Sequence, residues 1–147
     1  MHWTDRLHPL LIGVSDVVNR LDVDTRLLAA SDVKLDRALF PLLSRLALHE
    51  PMNTVELANL VGRDHSVVSR QVAKLEALEL VERVPDERDR RARLLKPSAA
   101  GRELLARVAV ARRRWMEADF RAWPDEDIET LIALVGRMLD GLGSPDD

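Results

Sequence analysis

The stretch TVELANLVGRDHSVVSRQVAKLEALELVERVPDERDRRARLL, Thr54 to Leu95, decides how this chain folds. Thr54 reads as an N-cap with Glu56 as a capping acid in the first turn, which opens a short helix through Val61. Gly62 supplies a tight turn. Asp64 is a second N-cap and opens a helix to about Leu78, where Val68, Val72 and Leu75 recur at three- and four-residue spacing and face inward. The period then drops from 3.6 to 2. Leu80-Val81-Glu82-Arg83-Val84 alternates like a strand, Arg91 to Leu95 can return antiparallel to it, and Pro85-Asp86-Glu87-Arg88-Asp89-Arg90 forms the loop.

Two short helices joined at a glycine corner make a helix-turn-helix, and a charged hairpin directly after its second helix is a wing. An arginine-rich wing tip can reach phosphates or enter the minor groove, where the negative potential is strongest when the groove is narrow. Outward from this region, Leu7, Leu10, Leu11, Val14, Val17, Val18 and Leu21 predict a first helix with one buried stripe, and Pro9 is expected near its first turn. A second helix is expected from about Leu35 to Leu48, kinked or broken at its start by Pro41. Beyond the hairpin, Ser98 caps a long helix from Ala99 to about Phe120. A last helix from about Asp125 carries Asp125, Glu126 and Asp127 in its first turn and a stripe of Leu131, Leu134, Val135, Met138 and Leu142.

Composition supports a helical protein. Apolar residues make up 46% of the 147 but aromatics only 3%, so Leu, Val and Ala fill the core positions and favour packed helices over sheets. There is no cysteine, which removes disulfides, thiolate metal sites and thiol redox sensing together. No run approaches the roughly 18 apolar residues of a membrane span, and the first residues lack a signal-peptide core, so a cytoplasmic protein with no membrane role is expected. The net charge of −3 conceals a strong asymmetry. Between Arg83 and Arg114, eleven bases against four acids leave +7, whereas from Trp115 onward two bases against nine acids leave −7. Nineteen of the 22 bases are Arg, whose planar fork suits phosphates and base edges. A basic middle can meet a polyanion while the acidic end keeps the molecule in solution.

In this order and spacing, the chain resembles the MarR family of bacterial regulators. The residues that carry the likeness are Thr54-Val55-Glu56-Leu57-Ala58, Ser66 through Glu76, Leu80-Val81-Glu82-Arg83, Asp89-Arg90-Arg91-Ala92 and Ser98-Ala99-Ala100-Gly101. Two departures stand out. The family often has glycine where Glu79 stands, and Pro97 replaces a usual leucine. The resemblance implies a mainly α fold with a small β-wing: a winged helix-turn-helix DNA-binding lobe over residues 35–97, and a helical dimerisation layer from 5–30 and 98–143, within one domain of 1–147. It implies a homodimeric transcriptional regulator, a repressor, reading a near-palindromic double-stranded DNA whose half-sites lie about one helical turn apart.

On the recognition helix, the expected DNA-facing residues are His65, Ser66, Val67, Ser69 and Arg70. Arg70 can bind guanine O6 and N7 together, and the serines suit phosphates or base edges; the competing roles are an internal salt bridge for Arg70 and plain solvation for His65. On the wing the expected residues are Arg88, Arg90 and Arg91, with Arg90 or Arg91 inserted, and Asp89 orienting a neighbouring arginine. The resemblance also implies release by a small anionic aromatic effector. Trp3, His8, Arg45, Arg112 and Trp115 suit such a cleft, although no effector residue is assigned. No cofactor, no metal and no catalysis are expected. The four histidines are scattered, and there is neither a glycine-rich phosphate loop, a Gly-x-Ser-x-Gly elbow nor a cysteine nucleophile. The rival readings are a metal-responsive regulator using His8 and His49, and a winged helix that binds protein and not DNA.

Overall fold

A computed structural model of the chain describes residues 1–18 and 20–142. Its elements run α1 (Trp3–Val18), α2 (Leu21–Ala30), α3 (Phe40–His49), α4 (Thr54–Val61), α5 (His65–Ala77), β1 (Val81–Pro85), β2 (Arg93–Pro97), α6 (Ala99–Asp119) and α7 (Asp125–Leu142). The chain divides into two compact units, residues 1–111 and 112–147, and α6 begins in the first and ends in the second.

The first unit holds the core. Leu42, Leu43 and Leu46 of α3 pack with Leu57 and Ala58 of α4, and with Val68, Val72 and Leu75 of α5. Leu80, Val81 and Leu95 join them from the hairpin, so the small sheet is fastened to the helices by its apolar face. Leu104 and Leu105 of α6 pack against the same cluster. On α2, burial holds Asp24 above the usual carboxylate range, while the charge of Arg45 pulls it the other way.

Three helices end on one device. After α2, α4 and α5 the chain turns left-handed at Asp32 (φ 54°), Gly62 (φ 65°) and Glu79 (φ 59°). At each, the next N–H bonds back five residues: Val33 to Leu28, Arg63 to Ala58 and Leu80 to Leu75, at 3.0–3.1 Å. This is the Schellman arrangement, which satisfies carbonyls that the helix itself leaves open. Only Gly62 adopts the conformation without a Cβ penalty. The substitution Glu79→Gly should therefore stabilise the fold. It relieves roughly 1–2 kcal/mol of left-handed strain and gives back about 0.5–1 kcal/mol in unfolded-chain freedom. A higher urea midpoint with unchanged slope checks this.

Several expected boundaries move. The N-cap of α4 is Asn53, one residue earlier than Thr54: Asn53 Oδ1 accepts the Glu56 N–H (2.8 Å) and Glu56 Oε2 accepts the Asn53 N–H (3.0 Å), a reciprocal capping box. Asp64 does hold the N-cap position of α5, without a side-chain capping bond. The helix expected from Leu35 starts only at Phe40, with Pro41 in its first turn, where a missing N–H costs nothing. The strands lie later than the alternation predicts, at 81–85 and 93–97, because Leu80 spends its N–H closing the turn after α5. Pro9 lies inside α1, well past the first turn. The α1 stripe is not buried within the chain: among the described residues of α1 none is buried, and Leu10 and Val14 are exposed. Leu21 belongs to a separate helix, α2, which begins after an extended Arg20.

In the second unit, Phe120 and Trp123 meet edge to face at the corner between α6 and α7, with ring centroids 5.1 Å apart. Asp125, Glu126 and Asp127 occupy the first turn of α7, where the helix dipole favours acids. Residue 143, the expected end of the dimerisation layer, lies outside the described residues. Among the described residues no helix is long and apolar enough to cross a membrane.

Candidate nucleic-acid interface

The N-terminal half of α5 is exposed wherever it does not face the core. His65, Ser66, Ser69 and Arg70 are exposed and Val67 is half-buried, while Val68 and Val72 face inward. The helix periodicity thus separates an exposed polar face from an anchoring face within one turn. Four residues past the start of α5 the chain has already presented three polar side chains on one side.

The hairpin pairs in antiparallel register, Val81 opposite Pro97 through Pro85 opposite Arg93. Its tip is shaped by two aspartates. Asp86 Oδ1 accepts the Arg88 N–H (2.9 Å), and Asp89 Oδ1 accepts the Arg91 N–H (3.0 Å). Backbone bonds from Asp86 to Ala92 and from Ala92 to Asp89 close the loop beneath them. Asp89 thus acts on its arginine neighbour through the main chain, and its guanidinium partner is absent: among the described residues neither Asp89 nor Arg88, Arg90, Arg91 or Arg93 makes an ion pair. Arg70 is equally unpaired, so the internal salt bridge that competes for it is not formed. Four exposed wing guanidiniums (Arg88, Arg90, Arg91 and Arg93) and one on the helix are left with their hydrogen-bond donors unspent.

Cross-braces set the hairpin against the helix. Arg83 of β1 donates from Nε to Oε1 of Glu76 on α5 (2.9 Å) and forms an ion pair with the same oxygen through Nη2 (2.8 Å), and Lys96 pairs with Glu82 across the strands at 3.1 Å. At the base, Met52 and Leu95 exchange backbone bonds (2.7 and 3.2 Å), tying β2 to the segment before α4. Arg102 of α6 pairs with Glu50, and Arg107 caps the end of α2 through the carbonyls of Ser31 (3.2 Å) and Asp32 (2.7 Å). Lys96–Glu82 follows from the strand register, whereas Arg83–Glu76, Arg102–Glu50 and Arg107 on the end of α2 join residues that neither a helix nor a strand spacing would pair.

Of the side chains that suit an effector cleft, Trp3 and His8 of α1 are exposed and Arg45 of α3 is half-buried, all in the first unit. Arg112 is exposed and Trp115 half-buried, both in the second. Among the described residues no group of three His, Asp or Glu is placed to hold a metal ion.

A helix-turn-helix whose second helix carries an exposed polar face, followed by a hairpin with unpaired arginines, defines a winged-helix DNA-binding transcription regulator. The MarR family model matches residues 35–92. The chain is 34% identical over 104 residues to an uncharacterised HTH-type transcriptional regulator, YxaD, of Bacillus subtilis, which covers 71% of this chain and 73% of that protein. The chain belongs to the MarR family. Solved structures agree on the fold. A MarR family protein from Bacillus stearothermophilus superposes with a TM-score of 0.77 at 18% identity, covering 98% of this chain and 99% of the other. The apo form of wild-type MarR from E. coli gives 0.68 at 22% identity, covering 90% and 96%.

Proposed function

We propose that this regulator is a homodimeric repressor that grips a near-palindromic operator and lets go of it when a small anionic aromatic compound binds. The observation that carries the DNA part is the set of unpaired guanidiniums at Arg70, Arg88, Arg90 and Arg91, held on braced elements of one lobe. In this reading His65, Ser66, Val67, Ser69 and Arg70 face the major groove. Arg88, Arg90 and Arg91 meet the backbone or minor groove, with Asp89 shaping the tip. Residues 35–97 act as the reading lobe, and 5–30 with 98–143 form the dimer.

Exposed apolar stripes support the dimer. Trp3, Leu10, Val14 and Val17 on α1 and Leu131, Leu134, Val135 and Leu142 on α7 are all exposed in the single chain, which is more apolar surface than solvated helices present. Two-fold pairing covers such stripes and repeats the reading lobe, which a palindrome requires. For the effector, an open recess of about 340 Å³ along α2 and the segment after it sets apolar Leu28, Val33 and Leu35 beside the cations of Lys34 and Arg37, the combination that an apolar ring bearing a carboxylate calls for.

The test is selection of bound duplexes from a random pool, followed by binding across a salt series and by sedimentation. A dimer whose affinity falls steeply with salt is expected. Arg91→Ala should cost about 1–3 kcal/mol of binding and lower the salt slope by about one unit. An unchanged affinity at moderate salt would remove Arg91 from the interface. Release by benzoate-type acids, read in the same titration, tests the effector.

A further inference from the structure

Arg63 stands at the helix-turn-helix corner, and the DNA reading makes no use of its chemistry. It follows Gly62, and its guanidinium is half-buried with no ion pair among the described residues. One nitrogen, Nη1, donates to two neutral acceptors: the carbonyl of Ala38 at 2.8 Å and Gln71 Oε1 at 3.0 Å. That nitrogen carries two hydrogens, one for each acceptor. Ala38 is itself held from its other side, because its N–H donates to Asp36 Oδ1 at 2.9 Å. A polar chain therefore runs from Asp36 through Ala38 and Arg63 to the middle of α5.

Gln71 follows Arg70 directly and lies at the flank of α5, between the buried row of Val68, Val72 and Leu75 and the exposed row of Ser66, Ser69 and Arg70. Apolar packing holds a helix against its neighbours but is non-directional, so on its own it permits small rotations about the axis. A hydrogen bond is directional and weakens steeply off line. A tether at the flank resists the one motion that the core leaves soft. Base-edge recognition is sensitive to that motion, since a functional group has to be held within roughly 10–20° of its productive orientation.

We propose that Arg63 is a positioning residue for sequence recognition: through Gln71 and Ala38 it sets the rotation of the recognition helix, and with it the aim of Ser66, Ser69 and Arg70. Its charge is incidental to that role. The proposal rests on the DNA-binding reading, and the experiment separates the two.

Affinities are measured for a duplex selected by the wild-type protein and for an unselected duplex of the same length, across a salt series. Wild-type protein that binds neither duplex ends the DNA reading itself, before any variant is compared. Arg63→Lys keeps the charge but ends one bond, about 1.3 Å, short of where Nη1 stands. Its affinity for the selected duplex should fall about tenfold, that for the unselected duplex should change less than about twofold, and the salt slope should stay the same. Gln71→Leu, which leaves Arg63 and the fold of the corner in place, should lose selectivity in the same way. Equal losses on both duplexes, or a salt slope lowered by one contact in Arg63→Met, would make Arg63 a phosphate ligand and overturn the proposal. Unchanged selectivity in Gln71→Leu would overturn it as well, whatever Arg63→Lys does to folding.

Discussion

Replacing Gly101 by alanine should lower stability by about 2–3 kcal/mol, although the change adds a better helix former inside a helix. Gly101 is buried in the first turn of α6, and a Cβ there would overlap the carbonyl oxygen of Leu80 and stand 3.2 Å from its carbon. Both are backbone atoms and cannot swing aside as a side chain would. The Leu80 carbonyl is also engaged, accepting the Ser98 N–H at 3.0 Å. Ser98 Oγ in turn donates to the Glu79 carbonyl (2.6 Å) and accepts the Gly101 N–H (3.0 Å). Two bonds from Ser98 thus sew the end of the recognition helix to the start of α6, and a third from Gly101 holds the Ser98 hydroxyl in place. Helix propensity favours alanine by about 1 kcal/mol, and the clash together with loosened hydrogen bonds outweighs it. Urea unfolding reads the difference. A midpoint equal to or above wild type would show that the junction has slack.

The other large effect is expected at Leu95, which is fully buried in β2 while also bonded through its backbone to Met52. Leu95→Ala removes core contacts with the helices and leaves a cavity where the hairpin is fastened, at a cost of about 2–5 kcal/mol. Leu94, its half-buried neighbour on the other face of the strand, should cost much less when truncated. Thermal unfolding of the two variants side by side checks the contrast. At temperatures where both remain folded, their DNA affinity should differ little, because neither side chain belongs to the face proposed to meet DNA. Comparable losses of stability at the two positions would contradict the strand register.

Much of the lobe can be read from the residues because its signals are local. The glycine at the corner, the acid at the third position of α4, the row of Val68, Val72 and Leu75 and the switch to alternation after Leu80 each act within a few residues. The errors are local too. Asn53 and Thr54 are both good caps, and only the reciprocal bond with Glu56 decides between them. The strands shift because a turn claims Leu80, which alternation alone assigns to the sheet. Amphipathic spacing marks the α1 stripe but does not say that the described residues leave it uncovered, since periodicity marks a face and not its partner. The candidate site divides in the same way. Exposed arginines follow from composition and order. The pairs Arg83–Glu76, Arg102–Glu50 and Arg63–Gln71 join residues whose nearness exists only after folding.

The Met52–Leu95 bridge has a further consequence for how the molecule avoids misassembly. A two-stranded ribbon has two outer margins, each a row of unpaired peptide groups that could recruit a strand from another molecule. Along β2 that row is partly occupied by Met52. Along β1 it carries Glu82 and Arg83 and stops at Pro85, which has no N–H to offer. Fibrillar growth by strand addition is therefore hindered at both margins, and when this protein precipitates it should do so through its greasy helices, without the cross-β signature of a dye-binding deposit.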